Sequence, residues 1–274
     1  ADIVAAFNAA YVGADGSITA PGGMRGGRGG AAAAPAAPEG AAAPRTGNTQ
    51  TAYMLALKFD LLPENLRPIV AKRLADDVAQ SGHLTTGFVG VGMICPMLTD
   101  INRSDLAWQL VFTDTYPSWL FSVKNGATTI WERWDGWTPE KGFQDSSMNS
   151  FNHYSLGSVG AWLYSGAGGI QPDDAHPGYK HFTLTPQITG RLSHVQAELD
   201  TPYGVISSHW HAENDQMLYD VTVPPNTTAD LLLPVPAQNV RQAGQPVAGV
   251  AGDATKVSLV AGTYRFSFPR QMVR

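Results

Sequence analysis

Residues 128–154 carry the densest chemistry in the chain. Trp131, Trp134 and Trp137 fall within seven residues, interleaved with Glu132, Arg133 and Asp135 in Thr128-Thr129-Ile130-Trp131-Glu132-Arg133-Trp134-Asp135-Gly136-Trp137, and Ser147-Met148-Asn149-Ser150-Phe151-Asn152-His153-Tyr154 follows. A core seldom mixes large aromatics and charges this closely, because a buried charge needs a partner. Clefts that bind sugars do mix them. Aromatic faces stack on the apolar faces of a pyranose, while carboxylates bind hydroxyls or move protons. The stretch reads as half of a glycosidase active site.

Each of these residues also has a plainer use. Thr129-x-x-Glu132 fits a capping box, with Glu132 reaching back to the Thr129 amide. The flanking tryptophans argue instead for a general base, since a cap needs no aromatic walls and a base benefits from losing bulk water. Asp135 lies three residues on, which on a helix is the same face; it would orient a sugar hydroxyl or the base, or simply charge a helix start. Arg133 should pair with a nearby carboxylate. Trp131, Trp134 and Trp137 cannot all face one sugar, so at least one belongs to the core. His153 falls in the first turn of a helix that Asn149 or Ser150 would cap, where the helix terminus disfavours imidazolium. A neutral ring there can bond a hydroxyl or a water, though helix histidines are often satisfied core groups. Asn152 and His83 complete the set of candidate contacts. His209-x-His211 puts two imidazoles on one strand face at a spacing zinc could use. No third ligand is evident in the sequence, so neither a metal nor a cofactor is expected.

The chain behind these residues has 274 positions, enough for one large domain or two ordinary ones. Its 43% hydrophobic content allows a sizeable core, and its net charge of −5 with only 15% charged residues leaves no basic stripe for nucleic acid. No apolar run reaches the ~18–20 residues a membrane helix needs. The single cysteine, Cys95, rules out an intrachain disulfide and a multi-cysteine metal site. Its setting, Val91-Gly92-Met93-Ile94-Cys95, predicts a buried, inert thiol. The first residues show no basic-then-apolar leader and no initiator methionine. The chain is therefore expected to start inside a longer gene product, with the compartment open between cytoplasm and secretion.

Apolar spacing predicts a helix over 1–12, then a Gly/Ala/Pro-rich insertion over 13–47 that cannot offset its ordering entropy. Further helices are predicted from Tyr53 to near Pro63, from Glu64 to Gln80, from the end of a turn over His83–Gly90 through Leu98, over Asp105–Thr115 behind a cap at Asn102 or Ser104, over Ser118–Val123, and over Phe151–Tyr164. About seven strongly apolar helices in succession suggest a bundle or an α/α toroid. Past Gly166-Ala167-Gly168-Gly169 the period changes to two, in Val205–His211, Met217–Val223 and Tyr264–Phe268. That indicates an antiparallel β-sandwich. The division is placed at 172/173, giving a helical domain over 1–172 and a sandwich over 173–274. Asn226-Thr227-Thr228 matches a glycosylation acceptor, a match common by chance.

Several motifs together resemble the bacterial α-L-rhamnosidases of glycoside hydrolase family 78. They are Thr49-Gln50-Thr51-Ala52, His83-Leu84-Thr85-Thr86-Gly87-Phe88, Tyr116-Pro117-Ser118-Trp119, the Trp131-Glu132-Arg133-Trp134 and Asn152-His153-Tyr154 stretches, Pro177-Gly178-Tyr179-Lys180 and Thr201-Pro202-Tyr203-Gly204. The resemblance implies part of an (α/α)6 barrel followed by a β-sandwich, and removal of terminal α-L-rhamnose with inversion. It implies Glu132 as general base and His153 in the sugar subsite. It places the general acid in an upstream acidic motif that this chain does not contain. The implied partners are a rhamnose-containing glycoside or polysaccharide, and either the upstream half of the same polypeptide or a second copy of the chain. The competing expectations are a non-catalytic carbohydrate-binding or scaffold remnant, and a phosphorolytic α/α-barrel enzyme. The last would need basic residues for phosphate, and none cluster near Glu132.

Overall fold

The computed structural model describes residues 2–19, 47–247 and 254–272. The chain falls into two compact units, Ala1–Val159 and Gly160–Arg274. The sequence placed the division at 172/173, but the strand Ile170–Pro172 is already paired into a sheet of the second unit.

The first unit is helical. Helix α1 spans Asp2–Tyr11. After it the chain turns back on itself, with Val12 bridging to Ile18. Ile18 is buried and its N–H donates to Asn48 Oδ1 at 2.9 Å, while Asp15 pairs with Arg73 at 2.9 Å. Residues 13–19 are thus an ordered part of the fold, contrary to the predicted insertion; residues 20–46 lie outside the described residues. Helix α2 (Gln50–Lys58) is capped by the Thr49 hydroxyl and buries Tyr53, Met54, Ala56 and Leu57. Helix α3 (Arg67–Ser81) carries Pro68 in its first turn, where the missing N–H costs nothing, and ends on Gly82 at φ 70°. It buries Val70, Leu74 and Val78 and keeps a Lys72–Asp76 ion pair on its wet side.

The apolar helix predicted through Leu98 is two pieces, α4 (Phe88–Val91) and α5 (Ile94–Asp100). Pro96 explains the break. Inside one continuous helix it would lack the N–H that Gly92 C=O requires. Restarting at Ile94 puts it in a first turn, where no such bond is made. Helix α6 (Ser104–Phe112) has neither predicted side-chain cap: its N-cap is Arg103, whose guanidinium instead grips Asp105 through two 2.9 Å bonds. Helix α7 (Trp119–Lys124) is capped by Ser118, which the predicted span counts as its first residue.

The predicted Phe151–Tyr164 helix does not form as one element. Phe151–Tyr154 is irregular, and a 3₁₀ turn (Ser155–Ser158), the four-residue α8 (Val159–Trp162) and a π turn (Leu163–Ala167) follow. Gly157 faces Ile130 so closely that a Cβ would meet Ile130 Cγ1 at 2.9 Å. Between α7 and this segment lie the short paired strands β1 (Trp137–Thr138) and β2 (Gly142–Phe143).

The second unit is two sheets. One runs β10–β9–β12–β7–β6–β5, the other β11–β8–β4–β3. Their strands are β3 (Ile170–Pro172), β4 (His181–Leu184), β5 (His194–Thr201), β6 (Gly204–Glu213), β7 (Gln216–Val223), β8 (Thr228–Leu233), β9 (Arg241–Gln242), β10 (Gln245–Pro246), β11 (Thr255–Leu259) and β12 (Gly262–Pro269). Pairing is antiparallel except for β4 and β8, which run parallel. Alternation sets the faces. Ile206, Ser208 and Trp210 of β6 and Met217, Tyr219 and Val221 of β7 are buried, and their neighbours in sequence stand on the other face. The core joins them to Phe182, Leu184, Leu231, Phe266 and Phe268. The polar atoms of Trp210, Ser208 and Tyr219 within it are satisfied. Trp210 Nε1 donates to Ala167 O at 2.9 Å, and Ser208 Oγ donates to Gly168 O at 2.5 Å and meets the Tyr219 hydroxyl at 3.0 Å.

Candidate active site

Glu132 sits in a loop, not a helix, so the predicted capping box is absent. Its partner is eighteen residues away. The Glu132 amide donates to Ser150 O at 2.9 Å, and the Ser150 amide returns a bond to Glu132 Oε2 at 2.8 Å. Two more bonds extend the clasp: His153 N–H to Ile130 O at 2.8 Å, and the Thr129 hydroxyl to Phe151 O. Segments 129–132 and 150–153 are thereby held side by side. With Oε2 engaged, Oε1 is left without a hydrogen bond among the described residues.

His153 is not in a helical first turn. Its ring stacks between Phe88, with centroids 4.8 Å apart, and Tyr154, 5.3 Å apart. The Ser155 amide donates to Nδ1 at 3.2 Å. The proton of the neutral ring therefore lies on Nε2, leaving a donor for a hydroxyl. Tyr154 is 84% exposed, so the outer end of the stack is open. Asn152 is exposed, with its amide donating to Ser150 Oγ at 3.1 Å.

The tryptophans are buttresses more than open walls. Trp131 and Trp134 are only 6% and 7% exposed. Trp131 meets the Phe151 ring edge-on at 5.2 Å, and Trp134 meets Trp119 edge-on at 5.7 Å. Trp119 in turn donates its indole N–H to Leu156 O at 2.7 Å. Asp135 does not share a helix face with Glu132. It takes a bidentate fork from Arg133, at 2.9 and 3.2 Å, which fulfils the pairing expected of Arg133. Arg133 is pushed further into its charged range mainly by that hydrogen bond. Beside the pair lies Tyr116, whose phenol is raised first by burial and then by the Asp135 charge.

His83 is held within its own loop, Nδ1 against Leu84 O at 2.9 Å. That loop is fixed by Gln50, a fully buried side chain. Gln50 Nε2 donates to Asp77 at 2.9 Å and reaches Ser81 Oγ and His83 O at 3.3 Å, while Oε1 accepts the Thr85 amide at 3.0 Å. The loop then delivers Phe88 onto His153. Gln50, Tyr116, Trp119 and Ser150 carry no chemical signature of their own. Their only signal in the sequence is that they fall within or beside the motifs that carry the resemblance.

A second polar recess lies in the second unit, a cleft of about 370 Å³ whose lining includes Asp173, His176, Lys180, His181 and Thr228. Asp173 pairs with His176 at 2.7 Å, and Thr228, the last residue of the acceptor match at Asn226, meets His181 Nδ1 at 2.7 Å.

A helical unit whose loops clasp a carboxylate beside tryptophans, joined to a two-sheet unit, has the build of a helical-barrel glycosidase. Comparison with known proteins gives the family. Residues 1–167 match the bacterial alpha-L-rhamnosidase 6 hairpin glycosidase domain, and residues 169–248 match the bacterial alpha-L-rhamnosidase C-terminal domain. The chain belongs to the bacterial α-L-rhamnosidase family. An α-L-rhamnosidase of Formosa agariphila is 38% identical over 80% of this chain and 24% of its own length. One of Streptomyces avermitilis is 41% identical over 69% of this chain and 18% of its own length. Among solved structures, the Streptomyces avermitilis α-L-rhamnosidase complexed with L-rhamnose superposes with a TM-score of 0.80 at 33% identity, over 96% of this chain and 23% of that one. The Aspergillus terreus enzyme gives 0.77 at 28% identity, over 97% and 26%. The chain thus spans a quarter or less of the first two curated relatives it matches.

Proposed function

We propose that this chain supplies the general-base half of an inverting α-L-rhamnosidase site. Glu132 takes the proton from a water as that water attacks C1 of a terminal α-L-rhamnose. A second carboxyl, about 6.5–9.5 Å away across the sugar as inverting pairs require, protonates the departing oxygen; the reading assigns it to a segment upstream of this chain. His153 offers Nε2–H to a sugar hydroxyl, with Asn152 beside it. Trp131 and Trp134 keep the wall behind Glu132 dry, Asp135 fixes Arg133 next to it, and the His83 loop sets Phe88 against His153. The substrate is a rhamnose-containing glycoside or polysaccharide.

The observation that carries this reading is the clasp itself. It anchors one oxygen of Glu132 on the Ser150 amide, frees the other, and sets His153 in the same pair of segments. The same observation favours a second reading, in which Glu132 only staples two loops and the unit binds sugar without cleaving it. Glu132→Gln separates them, because an amide oxygen can still accept from Ser150 but cannot serve as a base. Under the catalytic reading this substitution removes hydrolysis by about 10²–10⁴-fold with no change in fold. Under the stapling reading it changes neither.

A further inference from the structure

The outer face of the larger sheet brings together groups that the sequence keeps apart. His209 and His211 are two residues apart on β6, so they share a face, and their rings stack with centroids 4.8 Å apart. On β7, Asp220 is the register partner of His209, and directly opposed residues stand on the same face of the sheet. One ligand atom from each of His209, His211 and Asp220 lies within 4.8 Å of the others. The sequence offered only two ligands; strand pairing provides the third.

A further observation separates this cluster from a chance grouping of polar side chains. The Nδ1 atom of His211 is buried and has no hydrogen-bond partner. Leaving a buried imidazole nitrogen without a partner costs free energy unless something else occupies it. The groups facing the cluster from the adjoining strands are known. His194 of β5 is the register partner of His211. Arg265 of β12 grips Asp220 through Nε at 2.6 Å and Nη2 at 3.2 Å. A carboxylate has about four lone-pair sites, so this fork leaves Asp220 able to ligate and fixes its orientation, as second-shell bonds do at metal centres.

We propose that His209, His211 and Asp220 form a binding site for a divalent transition-metal ion of the zinc type. Two imidazoles and one carboxylate are a zinc ligand set, with bonds of about 2.0–2.2 Å and a fourth position left for water. Tetrahedral bonds of that length place ligand atoms about 3.4 Å apart, closer than the 4.8 Å within which they lie here. The ion would tie β6 to β7 on the face opposite Trp210 and Tyr219.

The test uses the untagged 274-residue chain titrated with Co²⁺, followed by its visible absorption bands, with Zn²⁺ as competitor. One Co²⁺ per chain, displaced by Zn²⁺, is expected. His209→Gln and His211→Gln should each weaken binding by at least the ~10–100-fold that follows loss of an outer-shell partner. His176→Gln, at the other histidine pair of this unit, should leave it unchanged. Circular dichroism and a metal-free thermal transition establish that each variant is folded. If a histidine variant does not fold, Asp220→Asn, which keeps an acceptor for Arg265, is the deciding variant and should show the same loss. Zn²⁺ should also raise the thermal transition of the unsubstituted chain in proportion to the logarithm of its concentration. Absence of Co²⁺ binding, or equal binding in the folded variants, overturns the proposal.

Discussion

Under the proposed function Glu132 would carry two duties, and substitutions separate them. Its Oε2 holds the Ser150 amide, so Glu132→Ala should open the clasp and lower the stability of the helical unit by about 1.5–3 kcal/mol, the scale of a hydrogen bond to a charged group. Glu132→Gln should cost much less, which denaturant unfolding of the two variants side by side would reveal. Residue types alone pointed to Glu132, His153 and the Arg133 pairing, because a carboxylate among tryptophans and an arginine beside an aspartate carry their chemistry with them. The partners of Glu132 and Asp135 were misjudged for a physical reason. Capping boxes and shared helix faces are rules of local spacing that presuppose a helix. Here Glu132 closes onto Ser150 eighteen residues away, while Asp135 turns to Arg133 two residues back in the same loop.

At the scale of elements, the His83–Phe88 loop depends on Gln50. Four contacts radiate from that buried amide. Gln50→Ala should destabilise the helical unit by roughly 2–4 kcal/mol, because the part-buried Thr85 amide loses its acceptor and a cavity remains where the buried Gln50 side chain stood. Chemical denaturation measures this; a loss below about 0.5 kcal/mol, the range of neutral surface changes, would contradict it. Cys95, 2% exposed in α5 and with its thiol pushed up to about 12 by burial, should resist alkylation in the native chain at pH 8 and react only on unfolding. Helices α2, α3 and α7 were legible because their apolar spacing sets them apart from the breakers around them. The 88–98 and 151–164 segments have apolar composition without a continuous helix: Pro96 forbids one, and Gly157 marks a close approach to Ile130 that no local pattern encodes.

At the scale of the whole chain, the sandwich was the most legible part. A strict period of two names the buried face of each strand without knowledge of its partners. What the period cannot give is which strands pair, and so neither the parallel β4–β8 contact nor the meeting of Asp220 with His209 could be read from sequence. Tyr219 yields a prediction for the whole unit. Burial raises its phenol above the ordinary 10.0, so the folded state keeps its proton longer than the unfolded state does. Its contribution is fully present below pH 10.0 and is lost as pH rises beyond that value. The second unit should therefore lose stability on the alkaline side. Tyr219→Phe should remove that component at a cost of about 1 kcal/mol at neutral pH, the value of one hydroxyl hydrogen bond. Thermal unfolding across the alkaline range compares the two.

The central claim is that Glu132 is the base of a rhamnoside-cleaving site, and cleavage of an activated aryl α-L-rhamnoside tests it most directly. Such a leaving group departs with little help from an acid, so the base is examined by itself. The 274-residue chain should release the aryl alcohol, and Glu132→Gln, folded by circular dichroism, should lower that rate by about 10²–10⁴-fold. A substrate with a poor leaving group should not be turned over at an enzyme-like rate by this chain alone. Equal rates on the activated substrate with and without the Glu132 carboxylate would contradict the account and leave a sugar-binding unit whose glutamate only holds two loops together.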